Sequence, residues 1–177
     1  PENALENFGI SAPQAWRTRI PEELYPTTWI TDLTIDCLER YAKDDQPFFI
    51  QCGYTDPHHP FTPPGKYWDM YDPADIPAPS SLGIEHNNPP PFIATLQSSL
   101  ADGTANRTYV HPYAVTEQEA RESIALTYGM ISMVDDGVGK IIQKLDELGL
   151  REITIIVYTS DHGDIIGDHG IMLKHGL

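Results

Sequence analysis

Sulfur and positive charge are both scarce in this chain. Two cysteines, Cys37 and Cys52, among 177 residues are too few for a disulfide-stapled scaffold, and nothing says that they pair. Cysteine usage therefore leaves the compartment open. Eleven Lys and Arg stand against 26 Asp and Glu, a formal net charge of −15, and no basic run interrupts the acidic excess. Such a chain repels nucleic acid and anionic membrane surfaces. Long hydrophobic runs are missing too: no stretch approaches the roughly 20 apolar residues of a membrane span, and there is no basic-then-apolar leader. The first residue is Pro1 rather than Met, so the sequence reads as a piece of something longer and the missing leader carries little weight. The length suffices for one domain with a sizeable core.

What is present is concentrated between Thr159 and Lys174, TSDHGDIIGDHGIMLK. The run Ile153 to Thr159 is β-branched and aromatic, which predicts a buried strand that empties into Asp161-His162-Gly163. In open α/β sheets the ligand crevice lies beyond the carboxyl ends of strands. A carboxylate and an imidazole on one turn can reach one cation, and several divalent ions would suit that pair. The glycine-punctuated stretch Gly163 to Gly170 could fold Lys174 back towards the same crevice, where its point charge suits a sulfate or phosphate group. Asp168-His169 repeats the Asp-His pair and reads as loop structure or as support behind the residues that would touch a ligand. Asp135-Asp136 sit mid-helix and read as solvated or helix-packing residues.

A second loop carries chemistry of its own. Phe48 to Cys52 predicts a short buried strand ending at Gly53-Tyr54, and Thr55-Asp56-Pro57-His58-His59-Pro60-Phe61 follows. Prolines stiffen the backbone on both sides of His58, which suits general acid work or a hydrogen bond to an anion. His59 is expected to point the other way.

Residues 1–25 read as a loop. Helical spacing of Ile30, Leu33, Cys37, Leu38 and Tyr41 predicts a helix from Thr28 to about Lys43, with Cys37 packed on its buried face. Residues 57–115 form a Pro-rich excursion that could wall a substrate cleft, disorder over 80–110 being the alternative; residues 57–112 hold eleven of the sixteen prolines. Thr116 and Glu119 are spaced as a capping box for a long helix whose stripe runs Ile124, Tyr128, Ile131, Val134, Val138, Ile141, Leu145, Leu148, with Gly149 as its cap. The order αβ, long loop, αβ indicates an α/β fold with a parallel or mixed sheet flanked by helices.

Three segments, PFFIQCGYTDPHHPFTPPGKYWDMYDP at 47–73, YGMISMVDDGVGKIIQKLDELGL at 128–150 and ITIIVYTSDHGDIIGDHGIMLK at 153–174, together resemble the arylsulfatase-like sulfatase family of the alkaline phosphatase superfamily. The joint occurrence of P-H-x-P-F, S-D-H-G and a downstream G-x-H-G-x-x-x-K is specific. The resemblance implies a mixed sheet of the alkaline phosphatase type. It implies that Asp161 and His162 match two ligands of a divalent cation, usually calcium. It implies also that Lys174 matches the lysine that binds the sulfate group and His58 the histidine near the leaving oxygen. Asp164 and His169 match no catalytic position.

The family's nucleophile is a formylglycine made from the Cys or Ser of C/S-x-P-S-R. Cys37 is followed by Leu-Glu-Arg and Cys52 by Gly-Tyr-Thr, while Ser11-Ala12-Pro13 continues Gln14-Ala15, so none qualifies. The paired aspartates that complete the family's metal site are missing as well. The resemblance therefore implies a single partial sulfatase catalytic domain over 1–177, inactive alone, from a parent that cleaves a small-molecule or saccharide sulfate ester. The alternatives are a phosphodiesterase or phosphonate monoester hydrolase of the same superfamily, or a non-catalytic structural or binding fragment. Oligomeric state and natural substrate are not readable.

Overall fold

Proline and threonine decide how the first helix sits. The computed structural model describes residues 9–44, 46–84, 88–108 and 111–174, so the first eight residues of the expected leading loop lie outside the described residues. Helix α1 spans Pro26–Tyr41. It starts at Pro26 because a proline at the first helical position lacks an N–H that would be unpaired anyway. Its buried side is Thr27, Thr31, Thr34 and Leu38, so of the expected apolar stripe only Leu38 is fully buried. Leu33 and Trp29 on the other side are 42% and 60% exposed.

The reason is close packing against the long helix, where a Cβ on Gly137 would lie 2.6 Å from Thr31 Oγ1. Only small side chains permit that approach. The Thr31 and Thr34 hydroxyls donate to the carbonyls of Thr27 and Ile30, so they are buried without lost hydrogen bonds. Cys37 is only half-buried, with Arg40 Nη2 donating to its sulfur at 3.2 Å, which corrects its expected place in the core.

Helix α2 spans Pro91–Ala101 and helix α3 Glu117–Glu147. The capping box of α3 forms as expected, Glu119 N donating to Thr116 Oγ1 and Thr116 N to Glu119 Oε2. Its end forms too: Gly149 takes φ +69, Leu150 N donates to Leu145 O and Gly149 N to Asp146 O, the pairing of a Schellman cap. The covered face is Leu126, Gly129, Met130, Met133 and Val134. Val134 and Leu145 of the expected stripe are buried, whereas Tyr128 and Ile131 are each 43% exposed, so α3 carries a second apolar face that the described residues cover only in part, through the Tyr71 ring edge-on to Tyr128.

Strands β1 (Tyr113–Ala114), β2 (Ile165–Ile166) and β3 (Ile171–Leu173) make an antiparallel sheet in the order β1-β3-β2. The two strands predicted from composition do not form. Residues 154–159 and 48–52 have no regular secondary structure and join no ladder among the described residues. Ile155 is 91% and Phe49 90% exposed, whereas both segments were expected to be buried. Arg151–Ile153 form a 3₁₀ turn instead. β-propensity describes fit to a pleated, half-buried surface, and no described residue supplies that surface.

The 57–115 excursion is ordered through most of its length. It holds 3₁₀ turns at Gly65–Tyr67 and Pro73–Asp75 as well as α2; residues 85–87 and 109–110 lie outside the described residues. The core lies between α3, the β2–β3 hairpin and this excursion, with Phe61, Tyr113, Met130, Met172 and Leu173 all at most 2% exposed. Glu122, buried on α3, accepts from Ser11 N, Ser11 Oγ and Ala12 N at 2.7–2.9 Å. That anchored segment in turn receives the chain after Pro60, with Phe61 N donating to Gln14 O at 2.8 Å.

Candidate functional site

The β2–β3 hairpin returns Lys174 to the chemistry-bearing turn. Gly167, at φ +93, makes the reversal, and a Cβ there would lie 2.7 Å from the Ala120 Cβ. The register pairs Ile165 with Leu173 and Ile166 with Met172, so Asp164 and Lys174 face one another one step beyond the ladder. Lys174 Nζ stands 3.9 Å from Asp164 Oδ1, both side chains being more than four-fifths buried. Immediately before the lysine, Leu173 takes φ +73 while buried. A left-handed backbone at a bulky residue costs about 1–3 kcal/mol, and such strain concentrates at functional positions. The hairpin tip is bolted to the excursion: Ser81 Oγ donates to Asp168 Oδ1 at 2.6 Å and Gln97 Nε2 to His169 O at 3.1 Å. Asp168 and His169 thus support the loop.

At the other end of the same segment lies the candidate ligand His162. Its Nδ1 lies 3.1 Å from Gly163 O, and a carbonyl can only accept, so Nδ1 carries the proton. The lone pair of neutral His162 is then on Nε2, which lies 3.2 Å from Asp161 Oδ2. A proton on Nε2 or a metal ion beside the pair would satisfy both atoms. Asp161 is held below the usual carboxylate range, first by the His162 amide N–H and also by the nearby charges of His162 and Lys174. It therefore stays ionised through neutral pH. These residues fit part of a divalent cation's shell. Calcium takes six to eight oxygen ligands, and no group of three or more candidate ligands occurs among the described residues.

His58 lies in the turn between the cis peptides Asp56–Pro57 and His59–Pro60. Its Nδ1 donates to His59 O at 2.6 Å. The expectation that His59 points away is wrong: the two rings stack with centroids 4.1 Å apart, and His59 is buried. The His58 side chain makes no hydrogen bond to the Asp161 turn among the described residues. The site therefore consists of two clusters on separate loops.

Asp56 anchors the His58 loop, accepting from Thr27 Oγ1 at 2.6 Å. Burial raises its carboxyl above the usual range, against the opposing effect of the Thr27 hydrogen bond. A carboxyl raised in the folded state loses stability as pH climbs from its unfolded to its folded value, and the penalty persists above. Asp56→Asn keeps the acceptor and removes the charge, so it is expected to raise the melting temperature at pH 7 and to leave it unchanged at pH 3. Melting curves at the two pH values check this.

Sequence reasoning gave no role to Asp164 or Glu122. Asp164 could have been found by continuing the hairpin register, since Gly167 and Gly170 mark the turn. Glu122 also accepts from Gln118 Nε2 one helical turn back, but its anchoring role carried no local signal, because Ser11 and Ala12 are 111 and 110 residues away. Asp136 does pack between elements, accepting from Tyr67 Oη at 2.6 Å and Lys66 Nζ at 3.2 Å.

The architecture is α/β of the alkaline phosphatase type. It superposes on the crystal structure of a phosphonate monoester hydrolase of Agrobacterium radiobacter with a TM-score of 0.71 and 25% identity, covering 99% of this chain and 35% of that one. Within that class the sulfatase family model matches residues 5–176, and the chain belongs to the sulfatase family. It is 34% identical over 166 residues to the multifunctional alkaline phosphatase superfamily protein PehA of Trinickia caryophylli, which covers 90% of this chain and 31% of the relative. It is 32% identical over 168 residues to an arylsulfatase of Clostridium perfringens, covering 95% of this chain and 32% of the relative. The chain thus spans about a third of the length of the relatives it matches.

Proposed function

We propose that residues 1–177 form a single partial catalytic domain of a sulfuric ester hydrolase, contributing the part of its site that holds the anionic group of a small-molecule or saccharide sulfate ester. The observation that carries this reading is the arrangement at the hairpin mouth. His162 Nε2 and Asp161 Oδ2 face each other at 3.2 Å, and the hairpin returns Lys174 close enough for its charge to act on Asp161. Asp161 and His162 would hold a divalent cation, calcium by family, which when bound supplies positive charge to the sulfate oxygens. Lys174 supplies a second positive charge to the same group. His58, oriented by its bond to His59 O, presents Nε2, which when protonated can give its proton to the departing alcohol oxygen.

The attacking formylglycine belongs to the parent, because none of the 177 residues lies in a C/S-x-P-S-R motif. The purified chain is therefore expected to show no turnover of an aryl sulfate, and any measured turnover overturns the assignment. Calcium is expected to raise the melting temperature of the wild type and to lose that effect in Asp161→Ala. Absence of a calcium effect would favour a purely structural piece.

Hydrolysis of a phosphonate or phosphate ester is the second reading. It is favoured by the structural likeness to the phosphonate monoester hydrolase and by the relation to a multifunctional superfamily protein. Competition between inorganic sulfate and phosphate for the chain separates the two.

A further inference from the structure

We propose that Asp164 is a positioning residue for Lys174, holding the lysine at the mouth of the β2–β3 hairpin so that its ammonium meets the anionic group. This rests on the reading of Lys174 under Proposed function. Two independent features converge on the lysine. The ladder register carries Asp164 to the place opposite it, and the left-handed backbone of buried Leu173 sets the direction in which the chain leaves the sheet.

The contact itself has the geometry of a guide. Asp164 Oδ1 is buried and accepts no hydrogen bond among the described residues, and Lys174 Nζ is 3.9 Å away. That separation is within ion-pair reach and beyond hydrogen-bond length, so among the described residues nothing takes up the three N–H donors of the ammonium, and they can meet a ligand. A lysine stem has four rotatable bonds, and its freedom opposes anion capture unless something restricts it beforehand. Burial of both partners keeps their attraction from being screened as a surface pair would be.

A rival role for the same carboxylate makes the opposite forecast. If Asp164 merely competed with the anion for Lys174, removing its charge would tighten anion binding. If it positions the lysine, removing it loosens binding although an unfavourable negative charge has gone.

The test uses the full 177-residue chain with calcium present, inorganic sulfate as the probe and calorimetric titration as the readout. Sulfate binds the wild type, and Lys174→Gln abolishes that binding. Asp164→Asn is expected to weaken it by about threefold to tenfold, the lower part of the range of couplings between side chains in contact. Asp164→Glu, which keeps the charge on a longer stem, is expected to restore it to near the wild-type value. Rescue by Glu separates positioning from a general loss of folding, and the Glu variant stands in if the Asn variant shows no melting transition. Unchanged or tighter sulfate binding in Asp164→Asn, or failure of Asp164→Glu to bind, overturns the inference while leaving the role of Lys174 intact. Failure of the wild type to bind sulfate, or retention of binding in Lys174→Gln, overturns the reading of the site and this inference with it.

Discussion

Gly129→Ala is expected to destabilise the fold by about 2 kcal/mol or more, although the same change normally strengthens a helix. An exposed helical Gly→Ala gains about 1 kcal/mol, whereas forcing a methyl group into a filled interface costs about 1–3 kcal/mol and occasionally more. Here a Cβ would fall on the Tyr67 carbonyl oxygen, with the Pro63 ring 3.5 Å away. The obstacle is backbone in the turn Gly65–Tyr67, entered through Pro63 and Pro64, so it cannot rotate aside and the upper end of the range applies. Gly139 lies ten residues further along the same helix with nothing within 4 Å of its would-be Cβ. Gly139→Ala is therefore expected to stabilise by about 1 kcal/mol. Urea midpoints of the two variants check both signs; a destabilised Gly139→Ala would show that helix propensity is not what separates them.

Glu122→Ala is expected to lower stability by about 3 kcal/mol and to loosen the His58 loop as well. A hydrogen bond to a charged acceptor contributes about 1.5–3 kcal/mol, and three donors from Ser11 and Ala12 meet on one Glu122 oxygen. Such contributions do not add in full, yet removal leaves the Ala12 amide buried without its acceptor. The anchored segment is the one that receives Phe61 through Gln14 O and the Ala15–Phe61 bridge. Amide exchange at Phe61 is thus expected to quicken in Glu122→Ala more than exchange at Met172 on β3. Glu122→Gln, which keeps an oxygen in place, is expected to lose less than half as much. Equal protection of Phe61 in wild type and Glu122→Ala would sever the proposed path from α3 to the histidine loop.

Several features of the fold were legible because they are local. Thr116, Glu119 and Gly149 announce the two ends of α3 through caps that involve neighbouring residues alone. The Pro89-Pro90-Pro91 run could have announced α2 in the same way, since Pro91 occupies the first helical position. It was masked by the surrounding proline-rich composition.

The buried faces were less legible because they depend on what packs against them. Helices α1 and α3 carry apolar residues on more than one side, and small residues, Thr31 and Gly137, chose the contact between them. Composition alone favoured Leu33 and Tyr128, which remain exposed. Of the candidate site, the Asp161-His162-Gly163 turn and Lys174 were visible as a motif. The tautomer of His162 and the facing of Asp164 and Lys174 were not, since both follow from backbone geometry.

The ribbon that leads into Asp161 couples two equilibria. Residues 155–160 donate no backbone hydrogen bond to a described residue, so their amides should exchange with deuterium at nearly the rate of a free peptide. Among the described residues, the Asp161-His162 pair is consequently tethered on its hairpin side. A cation held by that pair, as proposed, would bind with its intrinsic affinity multiplied by the fraction of molecules whose ribbon is correctly aligned. Any strand that aligns the ribbon by pairing along 154–159 would raise cation affinity, and by thermodynamic reciprocity the cation would strengthen that pairing by the same factor.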